Sequence, residues 1–343
     1  MPAAKTPPAA AIFGCSGLAL TEAERDFFRR TDPLGFILFA RNVADPTQVK
    51  ALVNSFRETV GRPDAPVLID QEGGRVQRLK PPHWRKAPPG EPFAALAVRD
   101  LEAAREALRL NFRLIGAELA DLGIDVDCAP VLDVPIPGAH DVIGDRAYGR
   151  TAESVITLAG EVIDGLLDEG VLPVIKHIPG HGRAMVDSHL DLPVVDTPLA
   201  ELEGQDFPPF HAFRHAPWAM TAHVVYTALD AARPATTSRV VIDKVIRGAI
   251  GFDGLLISDD LSMKALGGSF EDRTRASLEA GCDVVLHCNG NMAEMVAIAS
   301  ELRPLSAAAE VRVAHGLAQK RKRVPFDRKA AEERVEALLR LSP

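Results

Sequence analysis

The sequence predicts an α/β fold, a single (β/α)8 barrel of the TIM type, on three observations. Eight short apolar runs recur along the 343 residues, and segments with helical spacing lie between most of them. No GxGxxG motif follows the first run, which disfavours a doubly wound open sheet. Eight alternating units in a chain of this length therefore indicate a closed parallel barrel with helices outside.

The eight runs are rich in Val, Ile and Leu, as expected for strands that are buried on both faces. The predicted strands are Ala11–Cys15, Gly35–Phe39, Pro66–Asp70, Ile124–Ala129, Leu172–His177, Trp218–Val224, Gly254–Asp259 and Asp283–Cys288.

Six segments have the apolar spacing of amphipathic helices, some with capping residues at their ends. The predicted helices are Pro46–Val60 behind Asp45, Leu101–Leu122, Ala152–Glu169 before Gly170, Arg239–Ile250 before Gly251, Glu271–Glu279 and Ala330–Leu341. The proline-rich segment Pro81–Pro92 is predicted as a loop, and no interdomain linker is recognisable. We therefore expect one domain over residues 1–343, with about residues 1–10 as a flexible segment.

The charge balance argues against nucleic acid or an anionic membrane surface as a partner. The chain has 39 basic and 47 acidic residues, a net charge of −8, and such a surface repels polyanions. One short basic run, Gln319–Arg323, could form a nucleic-acid patch. At this net charge we expect a solvated stretch near a helix end instead.

Four scattered cysteines, without a CxxC motif, indicate a reducing compartment. The first residues lack the apolar core of a secretory signal, and no apolar stretch is long enough to cross a membrane. We therefore expect a cytoplasmic protein.

Polar residues collect where the predicted strands end. Asp70 ends the third strand, Asp133 follows the fourth, Lys176 and His177 end the fifth, and Asp259 ends the seventh. Active sites of parallel barrels lie at this end of the strands. The sequence therefore predicts a polar pocket at this face.

The loop after the fifth strand carries glycines, a proline and the pair Asp187 and His189. The glycines suggest hinges. Residues two apart in extended backbone point the same way, so the carboxylate could bind one ring nitrogen and fix the tautomer. An imidazole with a pKa near 6.5 suits proton transfer near neutral pH. An Asx-type turn with a surface histidine explains the same spacing.

The pair Asp259 and Asp260 is the second chemical feature. Because adjacent strand residues face opposite ways, we expect at most one to point into the barrel mouth. An ionised aspartate there could be a nucleophile. The other could cap a helix that begins near Leu261.

Seven segments together resemble family-three glycoside hydrolases, in particular the bacterial β-N-acetylglucosaminidases of peptidoglycan recycling. They are GFILFARN (Gly35–Asn42), IDQEGGRVQRL (Ile69–Leu79), APVLDV (Ala129–Val134), GDRAYG (Gly144–Gly149), KHIPGHGRAMVDSH (Lys176–His189), AHVVYTALD (Ala222–Asp230) and SDDLSMKA (Ser258–Ala265). The likeness runs in order from about Gly35 to Asn289. The KH-PGHG…DSH and SDDLSM segments are the specific ones. Arg183 follows PGHG, where many family members carry an acidic or another residue.

The resemblance implies a role for each residue of the predicted site. It assigns the nucleophile to Asp259 and the general acid/base to His189, oriented by Asp187. The substrate-binding residues that it implies are Asp70, Arg78, Arg146, Lys176 and His177. It implies no cofactor or metal.

The implied reaction is retaining, exo-acting hydrolysis of terminal N-acetylglucosamine through a glycosyl-aspartate. The expected substrate is N-acetylglucosamine linked to 1,6-anhydro-N-acetylmuramic acid, with or without peptide. Chitin fragments, another sugar and phosphorolysis stay open. So do a metal-dependent hydrolase, with Zn²⁺ bound by residues such as His177, His181, Asp187 and His189, and a non-catalytic sugar-binding barrel.

Overall fold

The structure is a computed structural model that describes residues 6–188 and 190–340. Eight parallel strands close into a barrel in which each strand pairs with its neighbours in the sequence and the last pairs with the first. Each predicted run overlaps one barrel strand, so the predicted (β/α)8 barrel is confirmed. The strands are Ala9–Phe13 (β1), Pro33–Leu38 (β2), Val67–Ile69 (β3), Val126–Asp127 (β4), Leu172–Ile178 (β5), Trp218–Thr221 (β6), Leu255–Asp260 (β7) and Val284–His287 (β8).

Helices surround the barrel. They are Glu22–Thr31 (α1), Pro46–Val60 (α2), Gly90–Ala97 (α3), Leu101–Leu122 (α4), Ala152–Asp168 (α5), Leu199–Glu201 (α6), Phe207–Ala212 (α7), Phe270–Ala280 (α8), Met292–Ala299 (α9), Ala307–Ala318 (α10) and Arg328–Arg340 (α11). Two further segments, Leu202–Asp206 and Val241–Ala249, are π-helical. Two small sheets lie outside the barrel, one of Val194–Val195 with Val225–Tyr226 and one of Gln71–Gly73 with Val76–Gln77.

Helix α2 begins and ends at residues whose side-chain chemistry and backbone conformation favour helix ends. The Asp45 carboxylate accepts hydrogen bonds from the backbone N–H groups of Thr47 and Gln48, at 2.8 and 2.9 Å. It thereby binds two of the amides that a helix leaves unpaired at its start. Gly61, in the left-handed conformation (φ 63°), ends the helix. Both ends lie where the sequence predicts them.

The basic run near the C-terminus is paired within the protein. The run follows α10 and its residues 321–323 are exposed, so the prediction of a solvated stretch near a helix end is confirmed. In addition, three of its side chains contact acidic residues on and around α5 and before β4. These acids provide counter-charges that a sequence pattern alone does not locate. The pairs are Lys320 with Asp125 at 2.8 Å, Arg321 with Asp168 at 2.8 Å and Arg323 with Glu169 at 3.2 Å.

All four cysteines are buried free thiols. Burial raises the pKa of the Cys15 thiol to about 12, which keeps it protonated and unreactive. None of the helices in the described part of the chain combines the length and apolar character needed to cross a membrane.

Candidate active site

A cavity of about 330 Å³ opens at the C-terminal ends of the barrel strands. Six of the predicted site residues line it: Asp70, Arg78, Arg146, Lys176, His177 and Asp259. Asp187 is half-buried and does not line this cavity, and His189 lies outside the described residues. The barrel therefore brings together side chains that are up to 189 positions apart in the sequence, since 259 − 70 = 189.

Ion pairs link the floor of the cavity into one charged array. The Lys176 ammonium lies 2.9 Å from a carboxylate oxygen of Asp70 and 2.7 Å from one of Glu72. The Arg78 guanidinium donates to the other oxygen of Asp70 at 3.1 Å. Arg146 donates to both oxygens of Glu72, at 2.8 Å each. Two carboxylates and three cations thus hold one another in place.

These pairs keep both carboxylates ionised. Burial by itself would raise the pKa of Glu72, but the Arg146 and Lys176 charges lower that pKa to about 2. Burial would likewise raise the pKa of Asp70, and Lys176 and Arg78 lower it instead. The array therefore offers ionic hydrogen-bond donors and acceptors at neutral pH, which suits the hydroxyl groups of a sugar.

Glu72 is the member of this array that the sequence analysis missed. It is buried, and both of its oxygens bind cations. The signal was available, because Asp70 and Glu72 are two residues apart and such residues point the same way in extended backbone.

Asp133 holds the ring of His177. It is fully buried, and its Oδ2 lies 2.7 Å from Nδ1 of His177. Burial would raise the pKa of Asp133, but the neighbouring His177 and His181 lower it, so the carboxylate is ionised and can only accept. The Nδ1–H of His177 therefore donates to Asp133, which fixes the ring and leaves Nε2 for other contacts. The sequence placed Asp133 at a strand end but gave it no role.

Asp259 and Asp260 differ in their contacts, although both line the cavity. Oδ1 of Asp259 accepts from the N–H of Asp260 at 2.8 Å. The Asp260 carboxylate accepts from the Ser262 hydroxyl at 2.6 Å and the Cys288 N–H at 3.2 Å. The pairing of β7 with β8 shifts register between Ile257 and Asp260. The shift breaks strict alternation, and the Asp260 carboxylate is held in the turn after β7. The expectation that at most one of the two aspartates points into the barrel mouth stays a prediction.

The helix expected near Leu261 is absent from the described chain. Residues 261–266 form turns, and α8 begins only at Phe270. Gly268, with φ 83°, precedes Ser269, whose hydroxyl accepts from the N–H of Asp272. Ser269 is therefore the N-cap, and Asp260 holds a local turn through Ser262.

The first half of the loop after β5 is packed rather than hinged. A Cβ on Gly182 would lie 2.1 Å from the carbonyl oxygen of Val134, so only glycine fits there. The Tyr226 hydroxyl donates to the Gly180 carbonyl, and the Arg183 guanidinium binds Asp206 at 2.7 Å. Close packing explains these residues, and the expectation of glycine hinges is wrong for this half.

The second half of the loop carries the predicted dyad. Asp187 begins a turn in which its carbonyl accepts from the N–H groups of Leu190 and Asp191. The pairing of Asp187 with His189 stays a prediction, because His189 lies outside the described residues.

The described part of the chain holds no ligand set that a metal-dependent hydrolase would need. There, no group of three or more His, Cys, Asp or Glu residues could hold a metal ion. Nδ1 of His177 is bound to Asp133, and Nε2 of His181 lies 3.2 Å from the Ser188 hydroxyl. One nitrogen of each of these two rings is thus already in a hydrogen bond.

Comparisons with known proteins agree with this geometry. A family model described as the glycosyl hydrolase family 3 N terminal domain matches residues 19–318. A β-hexosaminidase of Alkalilimnicola ehrlichii is 42% identical over 282 residues, which cover 81% of this chain and 80% of the relative.

Two kinds of solved structure share the fold. NagZ from Neisseria gonorrhoeae, solved in complex with N-trifluoroacetyl-D-glucosamine, has a TM-score of 0.85 and 30% identity over 98% of this chain and 99% of that chain. The same enzyme has also been solved with a zinc ion. A family 3 β-N-acetylglucosaminidase from a Paenibacillus species has a TM-score of 0.82 and 31% identity over 96% of this chain and 66% of that chain.

Proposed function

This chain belongs to glycosyl hydrolase family 3 and is a β-hexosaminidase, and on that premise we propose that it is a retaining, exo-acting β-N-acetylglucosaminidase with Asp259 as its nucleophile. The observation that carries the proposal is the shared cavity. Asp259 lines it together with all five residues proposed to bind the sugar.

The proposed reaction has two steps. In the first, a carboxylate oxygen of Asp259 bonds to the anomeric carbon while the bond to the leaving oxygen breaks, and His189 protonates that oxygen. In the second, His189 takes a proton from water, and the water oxygen replaces Asp259 at the same carbon. Asp187 orients His189 in both steps. The sugar leaves with its original configuration, and the enzyme returns to its starting state.

The charged array would bind the non-reducing sugar. Asp70 accepts from its hydroxyl groups, and Arg78, Arg146 and Lys176 donate to them. The Nε2 atom of His177 is available for a further contact, because Asp133 binds the other ring nitrogen. These donors and acceptors match the hydroxyl groups of a sugar ring.

The proposed natural substrate is N-acetylglucosamine linked to 1,6-anhydro-N-acetylmuramic acid, with or without peptide. The N-trifluoroacetyl-D-glucosamine complex of a similar enzyme supports the first sugar. The family resemblance supports the second. A cytoplasmic location stays a prediction from the sequence, with which four free thiols agree.

Removal of the Asp259 carboxylate tests whether Asp259 is the nucleophile. We expect Asp259→Ala to lower kcat for nitrophenyl β-N-acetylglucosaminide by about a thousandfold or more, since the proposed glycosyl-enzyme forms on this carboxylate. Thermal unfolding should stay close to that of the wild type. Mass spectrometry after reaction with a fluorinated, slowly released substrate should find the adduct on the peptide that contains Asp259. An adduct on Asp260 or elsewhere would refute the proposal.

A substrate panel tests the finer assignment. N-Acetylglucosaminide, glucoside, chitobiose and the anhydro-muropeptide disaccharide should be compared, with and without phosphate and chelator. We expect the anhydro disaccharide to be cleaved best, free sugar as the product, and no effect of chelator. Sugar 1-phosphate as the product would indicate phosphorolysis instead.

A further inference from the structure

One buried residue stands out in an exposed segment of the loop after β5. Met185 is 59% exposed and Leu190 is 67% exposed. Ser188, between them, is only 3% exposed and lines the cavity. A small polar side chain is thus buried where the larger apolar side chains nearby are in solvent. Ser188 is therefore the point at which this exposed segment packs against the site.

Two contacts fix Ser188. Its hydroxyl lies 3.2 Å from Nε2 of His181. Its carbonyl accepts from the N–H of Ala265, at 3.3 Å, in the turn that follows Asp259. The first contact depends on a side chain that mutation can remove, and the second depends on backbone alone.

His181 is itself held by the site. Its N–H donates to Oδ1 of Asp133 at 2.6 Å, and its ring centre lies 5.5 Å from that of His177. Burial lowers the pKa of the His181 ring to about 4, so the ring is neutral near pH 7. The same carboxylate therefore orients His177 through its ring and His181 through its backbone.

We infer that His181 is a positioning residue. Through Ser188 it fixes the loop segment that leads to the proposed general acid, and Asp133 links this segment to His177. The inference rests on the proposed function, because it assumes that His189 is the general acid. Asp187 directly precedes Ser188 in the chain, so a shift of Ser188 moves Asp187, and the next position is the proposed general acid. His181 would act on the proton transfer without touching the reacting atoms.

The test measures kcat/KM for two substrates, because this ratio reports only the steps up to formation of the glycosyl-enzyme. Chitobiose has a sugar leaving group that needs a proton, whereas 2,4-dinitrophenyl β-N-acetylglucosaminide does not. We expect Ser188→Ala to lower kcat/KM for chitobiose by about tenfold, a fraction of what a general acid contributes, and to change the dinitrophenyl value less than about twofold. A purely structural role would lower both equally.

His181→Asn removes the same contact from the other end, while its backbone N–H can still bind Asp133. We expect the same selective loss, and no further loss in the double variant, because both changes break one interaction. Met185→Ala, in the same exposed segment, is the matched control and should match the wild type on both substrates. Thermal unfolding establishes that each variant is folded.

His189→Ala distinguishes a failure of the positioning role from a failure of the proposed function. If His189→Ala slows chitobiose selectively but Ser188→Ala and His181→Asn do not, the positioning role is wrong and the proposed function stands. If His189→Ala slows both substrates equally, the acid assignment is wrong and the positioning role falls with it. Additive losses in the double variant would also overturn the inference.

Discussion

At the scale of single residues, the site depends on carboxylates whose partners decide their charge. Glu72 is buried but binds Arg146 and Lys176, so it stays ionised with a pKa of about 2. Asp127 is equally buried, but among the described residues its Oδ2 has no hydrogen-bond partner. Glu72 is therefore ionised at neutral pH, whereas Asp127 is mostly protonated. Residue type alone does not predict this difference.

Glu72→Gln should weaken substrate binding more than catalysis. The amide keeps the shape of the side chain but removes the charge that holds Arg146 and Lys176 together, and these cations would separate. We expect KM for nitrophenyl N-acetylglucosaminide to rise about tenfold or more, with a smaller change in kcat. Initial rates over a range of substrate concentrations measure both. Asp141→Asn, at an exposed carboxylate of the Arg146 loop, is the control. An unchanged KM would contradict the role of Glu72.

Asp127 should make stability fall as the pH rises. Burial, assisted by the charges of Asp70 and Glu72, raises its pKa to about 8, whereas in the unfolded chain it titrates near 3.9. Between about pH 4 and 8 the folded chain therefore holds one more proton, and the free energy of unfolding declines with pH.

Asp127→Asn removes the titrating carboxyl group and so tests whether Asp127 causes this pH dependence. We expect the unfolding free energy of the variant, measured in urea at several pH values, to rise relative to that of the wild type from about pH 4 to 8. Above that range the difference should stay constant. A difference in unfolding free energy that does not change with pH would contradict the assignment.

At the scale of elements, the sequence predicted every barrel strand and the long helices α2, α4 and α5 well, because burial on both faces and a long apolar periodicity are local signals. It missed α1, whose buried residues are only Glu24, Phe27 and Phe28. A signal was available there too, since Thr21 and Glu24 form a capping box. The register shift at Asp260 had no such signal, because it depends on how β7 pairs with β8.

The loop after β5 shows the limit of reading glycines as hinges. Gly182 packs against Val134, and Arg183 is anchored by Asp206. Both contacts are to residues that are distant in the sequence, so the pattern alone could not separate a packed loop from a mobile one. The anchor at Arg183 and the contact at Ser188 bracket the exposed residues Met185 and Val186.

At the scale of the whole molecule, the parallel barrel made the position of the site predictable from the sequence. It did not make predictable which side chains in the site form ion pairs with one another. Asp70, Lys176 and Asp259 could be placed at one face because parallel strands end together. The bond between Glu72 and Arg146 joins residues 74 apart, and no periodicity specifies it. The family resemblance supplied the roles of residues that geometry alone would leave equivalent.

The C-terminal segment poses the last question, whether its ion pairs or its apolar contacts hold it to the barrel. Arg321, which binds Asp164 and Asp168, is 44% exposed in its side chain. Exposed pairs of this kind contribute about 0–1 kcal/mol each and weaken in salt. Leu338, on α11, is 3% exposed, and truncating a buried leucine costs about 2–5 kcal/mol. The apolar contacts should therefore dominate.

Two variants decide between these contributions. Urea unfolding in low and high salt should show Arg321→Ala losing less than about 1 kcal/mol, with the loss fading in high salt. Leu338→Ala should lose at least about 2 kcal/mol in both. Lys329→Ala, whose exposed ammonium contacts only Glu333 among the described residues, is the control. If Arg321→Ala cost more than Leu338→Ala, the ion-pair network would be the main attachment of this segment, and the packing of α11 would be secondary.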